Sequence, residues 1–319
     1  MPELYAFPLA FIVSIVAGPY IIKILARVKM GQKISEDGPQ SHQAKAGTPT
    51  MGGLIIVLGV LAGLAPSLEP KQDHSNLAAV VVLMLAYCAL GFVDDYLTVR
   101  PIKGIRGISS KPKAAMQFIF AAGFVYWMTV TGHDMILTAF GHTILSGIWY
   151  QAFAVLFIAG MANFVNITDG LDGLVAGLTG LVCLPLLCCM GAYGFSPLLL
   201  ALFGGCLGFL WFNANPAKVF MGDTGSLAIG SVLPAVALIS HSEIVLIIAG
   251  LVFILDGLSS ALQWAVFKFT RITTGTGRRV FLKSPVHHHF EMMGWHEQTI
   301  VVRFWIAGVV CAALAFLMQ

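Results

Sequence analysis

Apolar residues gather in ten runs, each about 16 to 25 positions long, at roughly 3–25, 51–66, 77–93, 114–131, 149–165, 174–192, 197–212, 225–240, 244–267 and 300–318. Runs of that length predict helices that cross a bilayer rather than core helices of a soluble domain. The polar residues between them alternate sharply in character. One set of connections is 26–50, 94–113, 166–173, 213–224 and 268–299. With the flanking Lys23 and Arg303, this set holds 17 of the 18 Lys and Arg, and only Lys71 lies on the other side. A cationic excess marks the cytoplasmic face, so the pattern predicts these loops inside and both termini outside. The remaining connections are short except for about 132–148. There, partial alternation around Gly141 predicts a small external hairpin. The ninth run carries Asp256-Gly257 at its middle, which predicts a tilt or a break at that point.

Composition agrees with the pattern. The 319 residues are 58% hydrophobic and 10% charged, against about 25% charged in a soluble domain. The expected fold is an all-α polytopic membrane protein, a single integral-membrane domain over 1–319 with about ten transmembrane helices and an active-site cleft on the cytoplasmic face. No internal repeat or second soluble domain is visible. A net charge of +3 gives no reason to expect a nucleic-acid partner. The first run lacks a basic leader and a small-residue cleavage site, so it reads as a retained span. The six Cys all sit in apolar runs without CxxC spacing and read as small buried hydrophobes.

The acids change the picture. Ten of the fifteen lie on the cationic side or in the interior of a span, and the clusters stand where apolar runs end. Carboxylates beside hydrocarbon are costly and usually functional. Clustered at one face, they suit a hard divalent cation, phosphate-bearing substrates, or both. Asp94 and Asp95 are helix neighbours about 100° apart, so they serve different partners; the alternative is a solvated helix end paired with Arg100 or Lys103. Asn166, Asp169 and Asp172 are spaced to share one face if helical, or Asp169 or Asp172 caps the next span. Asp223, in Phe220-Met-Gly-Asp223-Thr-Gly-Ser, fits either a helix cap or a metal ligand, and the other clusters on its face favour the ligand. Asn213-Ala-Asn215-Pro216 lies just upstream of it.

Three further features carry chemistry. Ser284-Pro-Val-His287-His288-His289-Phe290-Glu291 lacks the i, i+4 spacing of a helical zinc pair and reads as a loop contacting phosphates and hydroxyls, or as a structural loop. In Lys45-Ala-Gly-Thr48-Pro49-Thr50-Met51-Gly52-Gly53, Thr50 is placed to cap the second helix, whose free N–H groups would form an anion site. Lys45, Lys111 and Lys113 could neutralise phosphates, although the positive-inside bias accounts for most such cations. Asp256 is the acid that hydropathy places deepest.

Taken in order, KAGTPTMGG, GFVDDY, NITDGLDG, FMGDTGS and SPVHHHFEMMGW resemble the polyprenyl-phosphate N-acetylhexosamine-1-phosphate transferase superfamily over essentially the whole chain. The lysine-to-PTMGG stretch and the PVHHHFE segment are similar to its phospho-N-acetylmuramoyl-pentapeptide transferase branch. The resemblance implies ten transmembrane helices and a cytoplasmic active site. It implies transfer of phospho-MurNAc-pentapeptide from UDP-MurNAc-pentapeptide to undecaprenyl phosphate, giving UMP and lipid I with Mg²⁺ as cofactor. It also implies a homodimer in a bacterial cytoplasmic membrane. By motif, Asp223 would be the direct Mg²⁺ ligand. Asp94 would meet the lipid phosphate, with Asp95 supporting the cluster. Asn166, Asp169, Asp172 and Asn213 would line the nucleotide and diphosphate site, with Lys45, Thr50 and Lys113 nearby. Lys113 is taken over Lys111 because it directly precedes an apolar run. His287 and His288 would contact the sugar-phosphate side, and His289 would be catalytic there. Where this chain has Asp256, the resemblance implies Glu in many relatives, one methylene longer.

Phosphoryl transfer needs positioning and charge neutralisation more than covalent help. The lipid phosphate is already anionic, so direct attack on the β-phosphate is expected, with an aspartyl-phosphate intermediate on Asp94 or Asp95 as the rival. A sibling enzyme using UDP-GlcNAc is the nearest alternative. CDP-alcohol phosphotransferases would require an Arg that NITDGLDGLVAG lacks. A transporter would place its acids near the midplane between repeats, not at helix ends.

Overall fold

The computed structural model describes residues 2–28, 30, 47–69, 73–101, 106–139, 141–189 and 194–318; Lys45, Lys71 and Lys103 lie outside them. A 3-10 turn, Pro2–Tyr5, leads into α1 (Ala6–Arg27). Next come α2 (Gly53–Leu64), α3 (Ser75–Val99) and α4 (Ser110–Val130). The hairpin β1 (Ile136–Ala139) and β2 (His142–Ser146) precedes α5 (Ile148–Thr168), α6 (Leu174–Cys189) and α7 (Ser196–Asn213). The chain then forms α8 (Gly222–Ile239), α9 (Glu243–Ala249), α10 (Leu251–Thr274), α11 (Val286–Met292) and α12 (Glu297–Phe316). Among the described residues, eight helices are long and apolar enough to cross a membrane, and α2 and α6 are shorter apolar helices. Each of the ten apolar runs therefore meets a helix, and the protein is a mostly helical, multi-pass membrane protein.

The centre of the bundle is α8, in which every residue from Thr224 to Ile239 is buried. It packs against α3, α5 and α2, while α7 packs on α1, α2 and α6 and α12 covers α6. A helix surrounded on all sides must be apolar all round, and the uncharged stretch SLAIGSVLPAVALI, residues 226–239, supplies that. The charge in α8 is at its first turn, on Asp223.

The expected hairpin is present. β1 and β2 pair antiparallel, with a register irregularity at Leu137/Thr138 and Gly141 at φ 76° in the turn. The break expected at Asp256-Gly257 is not there. The ninth run divides at Gly250, between α9 and α10, and α10 continues unbroken through Asp256 and Gly257. Gly257 serves packing instead: a Cβ there would collide with the Phe164 ring of α5. The histidine triplet, expected in a loop, lies on the short helix α11, which follows Pro285 at its N-cap.

Candidate active site

The carboxylates converge at the N-terminus of α8. Asp223 sits in the first turn, and its side chain does not cap the helix. Its Oδ1 accepts from Asn166 Nδ2 at 2.7 Å, and its Oδ2 is paired with the Lys113 ammonium. The same ammonium reaches Asp94 Oδ2 at 3.1 Å. Asp94 Oδ1 accepts the backbone N–H of Ile108 at 2.5 Å. Asn166 is fixed in turn by Ser226 Oγ at 2.9 Å. Four helices or their ends thus meet at one point: α3 brings Asp94, α4 Lys113, α5 Asn166, and α8 Asp223 and Ser226. The partner of Asp94 is Lys113, not Arg100, whose guanidinium donates to the Val28 carbonyl at 2.7 Å.

Asp95 does different work from its neighbour. It is buried, and it accepts from Thr224 Oγ1 at 2.6 Å, Thr224 N–H at 3.0 Å and Asp223 N–H at 3.2 Å. Asp95 therefore caps α8 from another helix, satisfying first-turn N–H groups that have no intrahelical partner and placing negative charge at the positive end of the helix dipole. Gly222, at φ 71°, makes the approach possible, because a Cβ there would run into Asp95 and Thr50 Oγ1. Thr50 lies against this corner but does not cap α2, whose N-cap is Gly52 without a side-chain bond. The expected anion site at α2 is also closed. Gly52 and Gly53 donate their N–H groups to the Phe220 and Met221 carbonyls, at 2.8 and 2.9 Å.

Asp169, Asp172 and Asn166 do not share one face. Helix α5 ends at Thr168, so the i+6 residue leaves the helical register. Asp169 stays with the cluster. Burial pushes its carboxyl up to about 8; the Asp223 and Asp95 carboxylates add to the rise, and a bond from Gly222 opposes it. Asp172 turns the other way. It accepts from Asn215 Nδ2 at 3.0 Å and Ala217 N–H at 3.1 Å, and its own N–H donates to Glu297 Oε1 at 2.8 Å. Asn213 joins the same brace, accepting from Gly173 N–H at 2.9 Å and donating to the Val219 carbonyl at 2.9 Å. These bonds hold the 169–173 turn against the 213–219 segment and the start of α12. Glu297 was not singled out from the sequence, and Asn215 stood in a motif without a role of its own. Glu297 lies 125 positions from Asp172, and no local pattern links them.

On α11 the three histidines fan out. His287 is fully buried, with Nδ1 2.7 Å from Asp256 Oδ2. His288 Nδ1 is 2.5 Å from Glu291 Oε2. Burial holds the His288 imidazole below its usual range, against the pull of Glu291. Both rings face Gly170, where a Cβ would meet His287 Nε2 and His288 Nε2. His289 turns away toward Phe281 and accepts the Leu282 N–H at 3.2 Å. The structure thus joins Asp94, Asp95, Lys113, Asn166, Asp169 and Asp223, brings His287 and His288 beside the Asp169 turn, and directs Asp172, Asn213 and His289 into bracing contacts.

Among the described residues, no group of three or more His, Cys, Asp or Glu forms a self-sufficient metal cage. The donor set is nevertheless one that a small divalent cation uses. Mg²⁺ is held by one or two carboxylates, with phosphate oxygens and waters completing the shell. The Lys113 ammonium already bridges Asp94 and Asp223 as a cation would.

Comparison with known proteins places this geometry in context. The profile of Glycosyl transferase family 4 matches residues 77–241, and the phospho-N-acetylmuramoyl-pentapeptide-transferase signature 1 matches residues 45–57. The chain is 42% identical to the phospho-N-acetylmuramoyl-pentapeptide-transferase of Shouchella clausii over 98% of its own length and 95% of the relative's. It is 42% identical to that of Pelotomaculum thermopropionicum, over 97% and 95%. With the Bacillus subtilis enzyme it shares 39% identity over 99% and 97%.

Proposed function

The chain belongs to the phospho-N-acetylmuramoyl-pentapeptide transferase family, and from that premise we propose that it transfers phospho-MurNAc-pentapeptide from UDP-MurNAc-pentapeptide to undecaprenyl phosphate. The products are UMP and lipid I. The observation that supports this reading most is the meeting of Asp94, Lys113, Asn166, Asp169 and Asp223 at one end of the bundle, drawn from motifs far apart in sequence.

The roles follow from the geometry. Lys113 holds a positive charge between Asp94 and Asp223, where the phosphates of both substrates must approach one another. Asp94 is partly exposed and hydrogen-bonded from behind by Ile108, so its second oxygen is free to orient the acceptor phosphate once Lys113 shifts to a phosphate oxygen. Asn166 fixes the rotamer of Asp223, and Asp95 fixes the backbone beneath it. Asp223 would hold Mg²⁺ as its direct ligand, and the ion would supply neutralisation of the diphosphate's charge. The acceptor phosphate is anionic near neutral pH, so direct in-line attack on the β-phosphate needs no strong base.

Ten membrane crossings, with the carboxylate end on the cytoplasmic side of a bacterial plasma membrane and both termini opposite, complete the reading. The cation distribution of the loops supports that orientation. A homodimer is part of the proposal. The test is UMP release by purified protein from UDP-MurNAc-pentapeptide, with undecaprenyl phosphate and Mg²⁺ each present or omitted. Release that requires all three is the expected result. Release from UDP-GlcNAc alone would overturn the substrate assignment, and a radiolabelled sugar-phosphate trapped on the protein without acceptor would overturn direct attack.

A further inference from the structure

Asp256 spends its whole carboxylate on one residue. Oδ1 accepts the backbone N–H of His287 at 3.2 Å, and Oδ2 lies 2.7 Å from His287 Nδ1. A backbone N–H can only donate, so Oδ1 is an acceptor; an ionised carboxylate accepts at Oδ2 as well, which would put the ring proton between the pair on Nδ1. One turn along α10, Ser259 Oγ accepts the Val286 N–H at 2.9 Å while donating to the Asp256 carbonyl at 2.5 Å. Asp256 and Ser259, at i and i+3 on α10, thereby cap the first turn of α11 from outside. Both members of the Asp256–His287 pair are fully buried.

The far side of the ring is unusual. His287 Nε2 is buried and has no hydrogen-bond partner. It faces Gly170, which lies next to Asp169, and a Cβ on Gly170 would collide with it. An unpartnered buried nitrogen is costly and calls for an explanation.

We propose that Asp256 is a positioning residue for the transfer. It docks α11 and locks His287 in the Nδ1–H tautomer, so that Nε2 is presented, as an acceptor, toward the turn that carries Asp169. The inference rests on the transferase reading above. It acts through His287 and needs no contact between Asp256 and substrate. Its chemical consequence is specific: a neutral Nε2 acceptor receives a hydroxyl or amide N–H of the sugar-peptide, not a phosphate oxygen.

The experiment compares Asp256→Asn with Asp256→Glu in the full-length protein. Asn keeps the shape, but its one carbonyl oxygen is taken by the His287 N–H, so its NH2 faces Nδ1 as a donor and forces the ring proton to Nε2. Glu lengthens the side chain by one methylene but keeps both acceptor oxygens. Tautomer control predicts that Glu retains more activity than Asn, with kcat of the Asn variant down about tenfold or more and KM for UDP-MurNAc-pentapeptide changed far less. A role confined to shape predicts the opposite order, and that order would overturn the inference. Imidazole ¹⁵N spectra of histidine-labelled protein supply a readout independent of turnover. The His287 Nδ1–H signal is expected in the wild type and in the Glu variant and absent in the Asn variant; its absence from the wild type would also overturn the inference. Gly170→Ala, which pushes on the same nitrogen without touching Asp256, should lower kcat in the same way, and full activity there would count against it. If the wild type itself releases no UMP, the transferase reading is what fails, while the spectra still decide the tautomer.

Discussion

Asp94 and Asp95 are adjacent, identical in chemistry and opposite in structural duty, and Ala substitutions should separate them. Asp95→Ala removes one acceptor from three donors at the start of α8: Asp223 N–H, Thr224 N–H and Thr224 Oγ1. A hydrogen bond to a charged group contributes about 1.5–3 kcal/mol. The three share one carboxylate whose own burial is costly, so their sum is discounted to about 3–5 kcal/mol, the usual cost of breaking a buried charged contact on one side. For a chain of this size that corresponds to a fall in Tm of roughly 6–15 °C. Asp94→Ala loses one backbone bond and one contact with Lys113, at a partly exposed position, and Lys113 keeps Asp223. Its cost should stay within about 1–2 kcal/mol. The assay is thermal unfolding of purified protein in detergent beside UMP release. Both variants should lose turnover, and only Asp95→Ala should lose a large part of its stability. Equal shifts, or a larger one for Asp94→Ala, would refute the trans-capping argument.

Asp223→Ala should abolish UMP release while Tm moves by only a few degrees, because its partners Asn166 and Lys113 keep Ser226 and Asp94; residual turnover would remove Asp223 from the reaction. Gly222→Ala should behave like Asp95→Ala in unfolding, since φ 71° and the facing Asp95 both oppose a Cβ; an unchanged Tm would contradict the close approach. Asp169, raised from 3.8 to about 8, binds its proton more tightly folded than unfolded. Its stabilising contribution is therefore complete below about pH 4 and is lost as pH rises through about 8. Without divalent cation, Tm should fall more steeply between about pH 5.5 and about pH 8.5 in the wild type than in Asp169→Asn, and parallel profiles would sink the assignment. Cys188→Ala, at an exposed thiol near the end of α6, should leave turnover unchanged, whereas His288→Ala should lower it.

The helices were readable because a bilayer imposes length and polarity together: of the ten apolar runs, nine met one helix each and the ninth met two, α9 and α10. The hairpin was readable from alternation around Gly141. What escaped was set by long-range contact. The 100° between Asp94 and Asp95 already separated their partners, but what Asp95 serves was hidden, because only the arrival of α8 makes it a cap. The i, i+3, i+6 spacing from Asn166 assumed a helix that stops at Thr168. Thr50 has the right residue type for a cap, but the 220–221 backbone takes the N–H groups it would have served. The histidine triplet reads as a loop because seven residues are too few to hold a helix alone; α11 exists because Asp256 and Ser259 satisfy its first turn from α10.

The arrangement also accounts for why the charges stand at the ends of the most apolar elements. A phosphoryl transferase must hold several anions within a few ångströms of each other, and loose loops would place them too imprecisely. Here Asp223 rises from the first turn of a helix that is buried from Thr224 to Ile239, so its backbone is fixed by the whole bundle. Asp94, Lys113 and Asn166 come from the helices that border that end. The same burial that makes α8 rigid removes water from beneath the site, which strengthens each charge interaction there. The hydrophobic pattern and the acid motifs are thus two parts of one design: the first supplies the rigid frame, and the second sits at the first position where that frame reaches water.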